Sequence, residues 1–497
     1  MYKILKKVFN LIYNFKKIKT LLFIFFLILA SFIEGISIAI IFPILEIFIN
    51  NNESNLLYKF FPFLNQESNF ILYNVILVIS SVFFIKSIFL VYLAWWNSGF
   101  HKELNHFFRT EVLKKYINSD FLFHLDNKTS ILLRNAYNEV ALFVQGINIL
   151  FKLIAEFFIF TIIFSILIYF QPKITFSIIT FFSIFGILYI LFLKRKLSSW
   201  SKNIVKYSGK MLQSIQQSLE SIKFIKIRNS ENKFFKDYDL KVLMFTKYTR
   251  FNAFVSDIPR IILELLGVIS ILFLIFFLYQ ENKSDISYLI PSLGLFTAAA
   301  FKLLPNISRI ISGIQGIYGL SASIKVISNS LEIKEKKVIE VGKREFKKEI
   351  NIKNLTYSYP GSSQKIFDRV NLKINKNDFV CIVGESGIGK TTLTDLIMGL
   401  IEAESGEILI DGENLKSINK RSWHKNIGYV PQNIMLFNNS IKENISMSLN
   451  EDEIDNSKIE KSLYYAELNS FVKEKKEGLD FIIDEKGKNL SMGQIQR

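Results

Sequence analysis

The sequence predicts an all-α membrane half of six helices followed by an α/β half, and three observations predict it. The first is composition: half of the 497 residues are apolar, 49 are Phe, and mean hydropathy is +0.27. Soluble chains seldom show such a profile. The second is placement, since the long apolar stretches all lie before Ser330. The third is a change of pattern from Glu349 onward to strand and turn signals, with a glycine-rich loop set between an apolar run and a helical stretch.

Spanning a bilayer by helix takes about 20 largely apolar residues. Six stretches qualify: Leu21–Ile49, Asn69–Trp96, Val140–Phe170, Ile174–Leu193, Phe254–Tyr279 and Ile286–Ile311. Basic residues orient them. Lys3, Lys6, Lys7, Lys16, Lys17 and Lys19 precede the first stretch, and the connections Asn97–Glu139 and Lys194–Arg250 are rich in Lys and Arg. The other three connections are short and carry few basic residues. The positive-inside rule therefore places the N-terminus, both long connections and the C-terminal half in the cytoplasm, on a multi-pass protein of the cytoplasmic (inner) membrane.

A net charge of +17 admits three partners: nucleic acid, an anionic substrate, or anionic lipid at a membrane face. The charge asymmetry around the spans accounts for it, and no nucleic-acid partner is expected. Cys381 is the only cysteine, which excludes an intrachain disulfide. His101, His106, His124 and His424 lack metal-ligand spacing and read as surface or interface residues. The apolar run from Leu21 is too long for a signal-peptide core, and no small-residue cleavage site follows it.

The flanks of the two long cytoplasmic connections are amphipathic, so the spanning helices should continue beyond the membrane. Each connection has a break at its tip, Asn118–Ser130 and Ser221–Glu231. These are either solvated loops or the points where a cytoplasmic motor transmits force. Ionisable residues also fall inside the apolar stretches: Glu34, Lys86, Lys152, Glu156, Arg260, Glu264, Lys302 and Arg309. Each is costly against lipid and should face a cavity, a partner or an interface. Lys152 with Glu156, and Arg260 with Glu264, are i,i+4 pairs able to neutralise each other. Lys86, Lys302 and Arg309 have no local partner; with Arg260 they are candidates to line a cavity for an anionic group. Lys302 and Arg309 are seven residues apart, on one helical face.

Residues 1–330 thus form the membrane domain and the charged segment Leu331–Lys348 reads as a linker. In residues 349–497 the apolar β-type run Asp378–Val383 leads into Gly384-Glu-Ser-Gly-Ile-Gly-Lys390-Thr391, followed by the helical stretch Thr392–Leu400. This is a full G-x-x-x-x-G-K-[ST] match in strand–loop–helix context, which marks an α/β P-loop NTPase domain. Gly384, Gly387 and Gly389 let the backbone of Glu385, Ser386 and Ile388 wrap phosphate, and the helix N-terminus favours negative charge. Lys390 reaches the outer phosphates and Thr391 ligates Mg²⁺, with Thr392 a further candidate nucleotide-binding residue, so ATP with Mg²⁺ is the expected ligand.

Around the loop the chain resembles the ATPase domain of ABC transporters. Tyr357-Ser-Tyr359-Pro-Gly361 is similar to the segment whose aromatic ring stacks on adenine, with Tyr359 the best match. Tyr429-Val-Pro-Gln432 followed by Leu436-Phe437 resembles the Q-loop, which implies that Gln432 contacts Mg²⁺ and positions the attacking water. Glu485-Lys-Gly487 and Leu490-Ser-Met-Gly-Gln494 resemble the pre-signature segment and the signature. The resemblance implies that Ser491, Gly493 and Gln494 cap ATP held by a second subunit, hence a dimer, most simply a homodimer. Met492 stands where the family has Gly. The family pattern goes on to an apolar strand ending in Asp-Glu and then a switch His; the sequence stops at Arg497 without them. The expectation is a fragment of a longer protein, the alternative a truncated ATP-binding membrane protein without transport activity.

The membrane half is similar to exporters with six helices per chain fused to one ATPase domain, and both tips fall at the family's coupling helices. Ser31-Phe-Ile-Glu34 with Pro43, Ile258-Pro-Arg260 with Leu263-Glu264, Ser284-Asp-Ile286, and Leu304-Pro305 with Ser308-Arg-Ile-Ile311 resemble PglK-type lipid-linked oligosaccharide flippases. That resemblance implies a polyprenyl-diphosphate-linked glycan as substrate, with lipid, peptide or drug export on the same architecture as the alternative.

Overall fold

The computed structural model describes Val8, Gly342 and residues 16–39, 68–170, 172–281, 286–334, 344–432, 434–448, 450–484 and 487–497. The chain divides into two compact units, Met1–Val338 and Ile339–Arg497. Residues 335–341 and 343 of the linker Leu331–Lys348 lie outside the described residues, as do Pro43, Ser284, Asp285 and Glu485.

The first unit is helical: α1 (Lys17–Ala39), α2 (Ser68–Ile117), α3 (Phe121–Asp126), α4 (Thr129–Arg134), a π-helical turn (Asn135–Glu139), α5 (Val140–Phe170), α6 (Pro172–Glu220), α7 (Ile222–Ile227), α8 (Glu231–Glu281), α9 (Ile286–Gly319) and α10 (Ser321–Leu331). The six expected stretches fall on α1, α2, α5, α6, α8 and α9, with residues 40–49 of the first outside the described residues. Among the described residues, three helical segments are apolar and long enough to cross a membrane: Lys17–Ile36, Ile79–Ile117 and Thr129–Tyr169. A fourth candidate is the pair Ala300–Gly319 and Ser321–Leu331, bent by 52°. Helices α2, α6 and α8 have 50, 49 and 51 residues. At a rise of about 1.5 Å per residue, each is more than twice the thickness of a hydrocarbon core of about 30 Å, so each runs well past a bilayer. The breaks expected at the two tips hold the short helices α3 and α7.

Aromatic residues build the core of this unit. Phe23 of α1 stacks on Trp96 of α2 at 5.3 Å and meets Phe151 of α5 edge-on at 4.9 Å. Phe108 and Phe143 repeat the edge-on contact at 4.9 Å. Offset and edge-to-face pairs of this kind add to area burial, and they place large rings where three helices converge. Against α5, helix α9 approaches closely at Gly313, where a Cβ would stand 2.6 Å from Leu153 Cδ2. Small residues allow this spacing between helices in lipid.

The second unit has β1 (Glu349–Tyr357), β2 (Phe367–Asn375), α11 (Lys390–Met398), β3 (Ser405–Ile410) and β4 (Glu413–Asn414). The strands form one antiparallel sheet in the order β2-β1-β3-β4. Ile352, Leu355 and Tyr357 of β1 are buried, as are Ile408 and Ile410 of β3. The Asp411 carboxylate fastens the sheet to the chain that enters it, accepting from the backbone N–H of Lys347, Lys348 and Glu349 at 2.8, 2.6 and 2.9 Å. Short helices follow: α12 (Lys420–His424), α13 (Ile441–Ser446), α14 (Asn456–Tyr465), α15 (Asn469–Glu474) and α16 (Met492–Gln496). Ile441, Ile459, Leu463, Val472 and Ile483 make a separate small core among them.

Two expectations for this unit depart from the structure. The apolar run Asp378–Val383 belongs to no sheet, and Phe379 and Val383 are 99% and 86% exposed. A strand needs neighbouring N–H and C=O groups, and no strand pairs with this run among the described residues. The expected helix Thr392–Leu400 also shifts two residues toward the N-terminus, to Lys390–Met398. Its limits are set by left-handed glycines at both ends, Gly389 at φ +109° and Gly399 at φ +73°.

Candidate nucleotide site and membrane charge cluster

The glycine loop has the geometry its residues dictate. Gly387 and Gly389 adopt φ of +86° and +109°, a region costly for residues with a Cβ. Gly389 has a second constraint: a Cβ there would collide with Ile366 Cγ2 and stand 3.1 Å from Phe367 Cζ. Glycine is therefore required both by the turn into α11 and by the close seat on the edge of β2.

Lys390 folds back over the loop. Its ammonium donates to the Gly384 carbonyl at 2.8 Å and the Glu385 carbonyl at 2.7 Å. Glu385, Ser386 and Ile388 are exposed, as is Thr391. Thr392 is buried and its hydroxyl lies 3.1 Å from the Tyr359 hydroxyl. Tyr359 in turn meets Tyr357 edge-on at 5.3 Å. The structure thus brings the predicted aromatic residue to the phosphate loop, with its ring pinned from two sides.

Gln432 is exposed between α12 and α13. Ser491 is the N-cap of α16 in a reciprocal capping box: its hydroxyl accepts from Gln494 N at 3.2 Å, and Gln494 Oε1 accepts from Ser491 N at 2.8 Å. Both side chains serve to start the helix. Met492 points outward, 72% exposed, and a Cβ at Gly493 would meet open space.

The donor set suits a magnesium ion carried by phosphate. No cluster of three or more His, Cys, Asp or Glu occurs among the described residues. Mg²⁺ takes one or two protein ligands and completes its shell with phosphate and water; the exposed Thr391 hydroxyl beside Lys390 has the chemistry such a shell accepts.

In the first unit the predicted cavity cations fall into two groups. Arg260 and Arg309 line one cavity of ≈ 470 Å³ with Glu264, Phe301 and Ser308, between α8 and α9. Lys86 and Lys302 instead converge on Glu34, with Lys86 Nζ 3.9 Å from Glu34 Oε1 and Lys302 Nζ in direct contact with it. Arg309 Nε lies 2.5 Å from Glu156 Oε1. Asn306, completely buried, donates to Glu156 Oε2 at 2.6 Å.

These contacts revise the pairing expected from spacing. Among the described residues no ion pair forms between Lys152 and Glu156, or between Arg260 and Glu264. Glu156 turns to α9 instead, since α5 and α9 lie side by side and present Asn306 and Arg309 to it from one turn. Sequence reasoning missed the Glu34–Lys86–Lys302 cluster because its members lie on three helices. A second missed cluster links α2, α4, α6 and α10. In it, Arg134 donates to the Val205 carbonyl at 2.8 Å and to Asn135 Oδ1, and Tyr116 bonds Ser330 at 2.7 Å.

Two family descriptions match the chain. ABC transporter transmembrane region covers residues 20–299, and ABC transporter covers residues 367–497. The chain belongs to the ABC transporter family.

Among relatives, the ATP-dependent lipid A-core flippase of Wigglesworthia glossinidia brevipalpis is 38% identical over 149 residues, 30% of this chain and 26% of that protein. The lacticin-481/lactococcin-DR transport/processing ATP-binding protein of Lactococcus lactis subsp. lactis is 28% identical over 485 residues, 92% of this chain and 66% of that protein. The chain thus spans about a quarter to two-thirds of the length of these curated relatives. A solved bacterial Atm1-family ABC exporter with ATP bound shares the fold at a TM-score of 0.75. It is 16% identical, with 97% of this chain and 82% of that one covered. The ABC exporter fold joins a multi-pass helical membrane region to a nucleotide-binding domain, and both parts are present here.

Proposed function

We propose that this ABC transporter chain is one subunit of an ATP-driven exporter or flippase of the cytoplasmic membrane, moving an amphipathic or lipid-linked molecule with an anionic group. The observation that carries the reading is the set of cations within the apolar spans, Lys86, Arg260, Lys302 and Arg309, joined in one chain to a complete phosphate loop. A polyprenyl-diphosphate-linked oligosaccharide is the finer substrate assignment. The relatives named lipid A-core flippases support a lipid-type substrate. A peptide substrate is the second reading, supported by the lactococcal relative that aligns over 92% of the chain.

In this reading residues 1–330 translocate and residues 349–497 bind ATP. Lys390 gives up the Gly384 and Glu385 carbonyls for phosphate oxygens, and Tyr359 stacks on the base. Thr391 and Gln432 would hold Mg²⁺, which would supply neutralisation of developing phosphate charge. Gln432 orients water, and Ser491, Gly493 and Gln494 face the nucleotide of a second copy in a homodimer. The N-terminus and the ATP-binding domain are cytoplasmic.

Reconstituted liposomes test this directly. ATP should drive a fluorescent phosphate-bearing lipid from one leaflet to the other, more than its zwitterionic counterpart, and Lys390→Ala should stop it. Movement of a cationic peptide with no lipid movement would favour the second reading. Movement independent of ATP would overturn both.

A further inference from the structure

The apolar stretches of the membrane half contain five cations, Lys86, Lys152, Arg260, Lys302 and Arg309, and five carboxylates, Glu34, Glu46, Glu156, Asp257 and Glu264. Charge inside a bilayer is costly, so how each carboxylate holds its cation decides which cation can be given up to another anion. The two paired carboxylates handle their cations differently. Glu156 is fixed, held by Arg309 at 2.5 Å and by the buried amide of Asn306 at 2.6 Å. Glu34 is shared: it touches Lys302 of α9 while Lys86 of α2 stands off at 3.9 Å. Exposure is graded across this cluster, the side chains of Lys86, Glu34 and Lys302 being 11%, 14% and 35% exposed. Lys302 is therefore the open end.

We propose that Glu34 is an internal counter-ion standing in for the anionic group of the transported molecule: it holds Lys302 in the empty transporter and yields it when substrate arrives. The inference rests on the anionic-substrate reading above. Three features support the exchange. Lys302 has a flexible four-carbon stem and a point charge that pairs with any oxyanion, phosphate or carboxylate. Glu34 is not stranded when Lys302 leaves, because Lys86 remains beside it, and a carboxylate left alone in such a site would be strongly disfavoured. The 3.9 Å gap to Lys86 lets that second pair tighten as the first opens. Glu34 thereby sets the affinity of the site, since every substrate anion must compete with it.

The test is retention of phosphatidic acid by the full-length protein in native mass spectrometry, with phosphatidylcholine as control. Competition predicts opposite signs: Glu34→Gln raises retention of phosphatidic acid at least about threefold and Lys302→Gln lowers it by a similar factor. The double variant should follow Lys302→Gln, and phosphatidylcholine should not change. Glu34→Asp, whose shorter reach loosens the hold on Lys302, should also raise retention and serves if Glu34→Gln fails to fold. Reduced or unchanged retention in the folded Glu34 variant, with loss in Lys302→Gln, would make Glu34 a structural staple and sink the inference while leaving the anionic site standing. No effect of Lys302→Gln would remove the anionic site itself.

Discussion

The two halves of the chain hold their key cations by opposite means. In the nucleotide domain Lys390 rests on two backbone carbonyls of its own loop. Those partners are neutral and lie within six residues, so a phosphate replaces them with little reorganisation. In the membrane half Lys302 and Arg309 are held by carboxylates of other helices, Glu34 and Glu156. Those partners carry full charge in a low-dielectric setting, where an unpaired ion is strongly disfavoured. The comparison teaches that the loop is built for exchange, while in the membrane half Glu156 is pinned by Asn306 as well as Arg309 and only Glu34, with Lys86 standing by as a second cation, is suited to trade.

The largest expected effect breaks the exchange side. Lys390→Ala should weaken ATP binding by roughly 100-fold, read by fluorescence titration, with no change in helix content or membrane insertion. Gly389→Ala should come close to it. The Cβ meets Ile366 and the backbone sits at φ +109°, so ATP binding should fall by about tenfold or more.

A charge swap sharpens the other side. Arg309→Glu sets two carboxylates against each other and should destabilise the membrane half by about 1–3 kcal/mol. That is below the cost of about 3–5 kcal/mol for breaking a fully buried pair, because the Arg309 side chain is 53% exposed. The exchange Glu156→Arg with Arg309→Glu should recover much of the loss in a thermal melt; no recovery would mean that the pair is not the reason.

Smaller effects separate the ring of Tyr359 from its hydroxyl. Tyr359→Ala removes stacking worth about 0.5–1.5 kcal/mol and should weaken ATP several-fold. Tyr359→Phe loses only the bond to Thr392 and should weaken it about twofold.

The smallest effect is at Asp411. Partial burial pushes its carboxyl up, but the backbone N–H groups of Lys347, Glu349 and Lys348, with Arg344 nearby, more than offset this and hold it below its ordinary value. A carboxyl lowered in the folded state stabilises above the unfolded value of about 3.9, and that stabilisation is lost as pH falls through the folded value. Asp411→Asn should therefore lower the melting temperature by roughly 2 °C at pH 7, with the difference shrinking toward pH 3.

The same contrast explains what could be read in advance. The phosphate loop is eight consecutive residues, and its glycines, lysine and helix start are all local, so its geometry was legible. The helices that carry the apolar stretches and the breaks at both tips were legible too, since hydrophobic length and the breaks at Asn118 and Ser221 are local signals. The partners of Lys302 and Arg309 were not. Glu34 and Lys302 are far apart in sequence and meet only because α1 and α9 are neighbours of α5. Local spacing proposed Glu156 for Lys152, and tertiary packing gave it to Arg309. The run Asp378–Val383 has the composition of a strand, but a strand also needs neighbours, and composition does not report them.

The most direct measurement is the ATPase rate of the protein from its native membrane, reconstituted in nanodiscs and titrated with phosphatidic acid against phosphatidylcholine. The account predicts ATP turnover that rises with phosphatidic acid alone and loses that response in Lys302→Gln. A rate indifferent to the phosphate-bearing lipid, or no turnover in its presence, would contradict it.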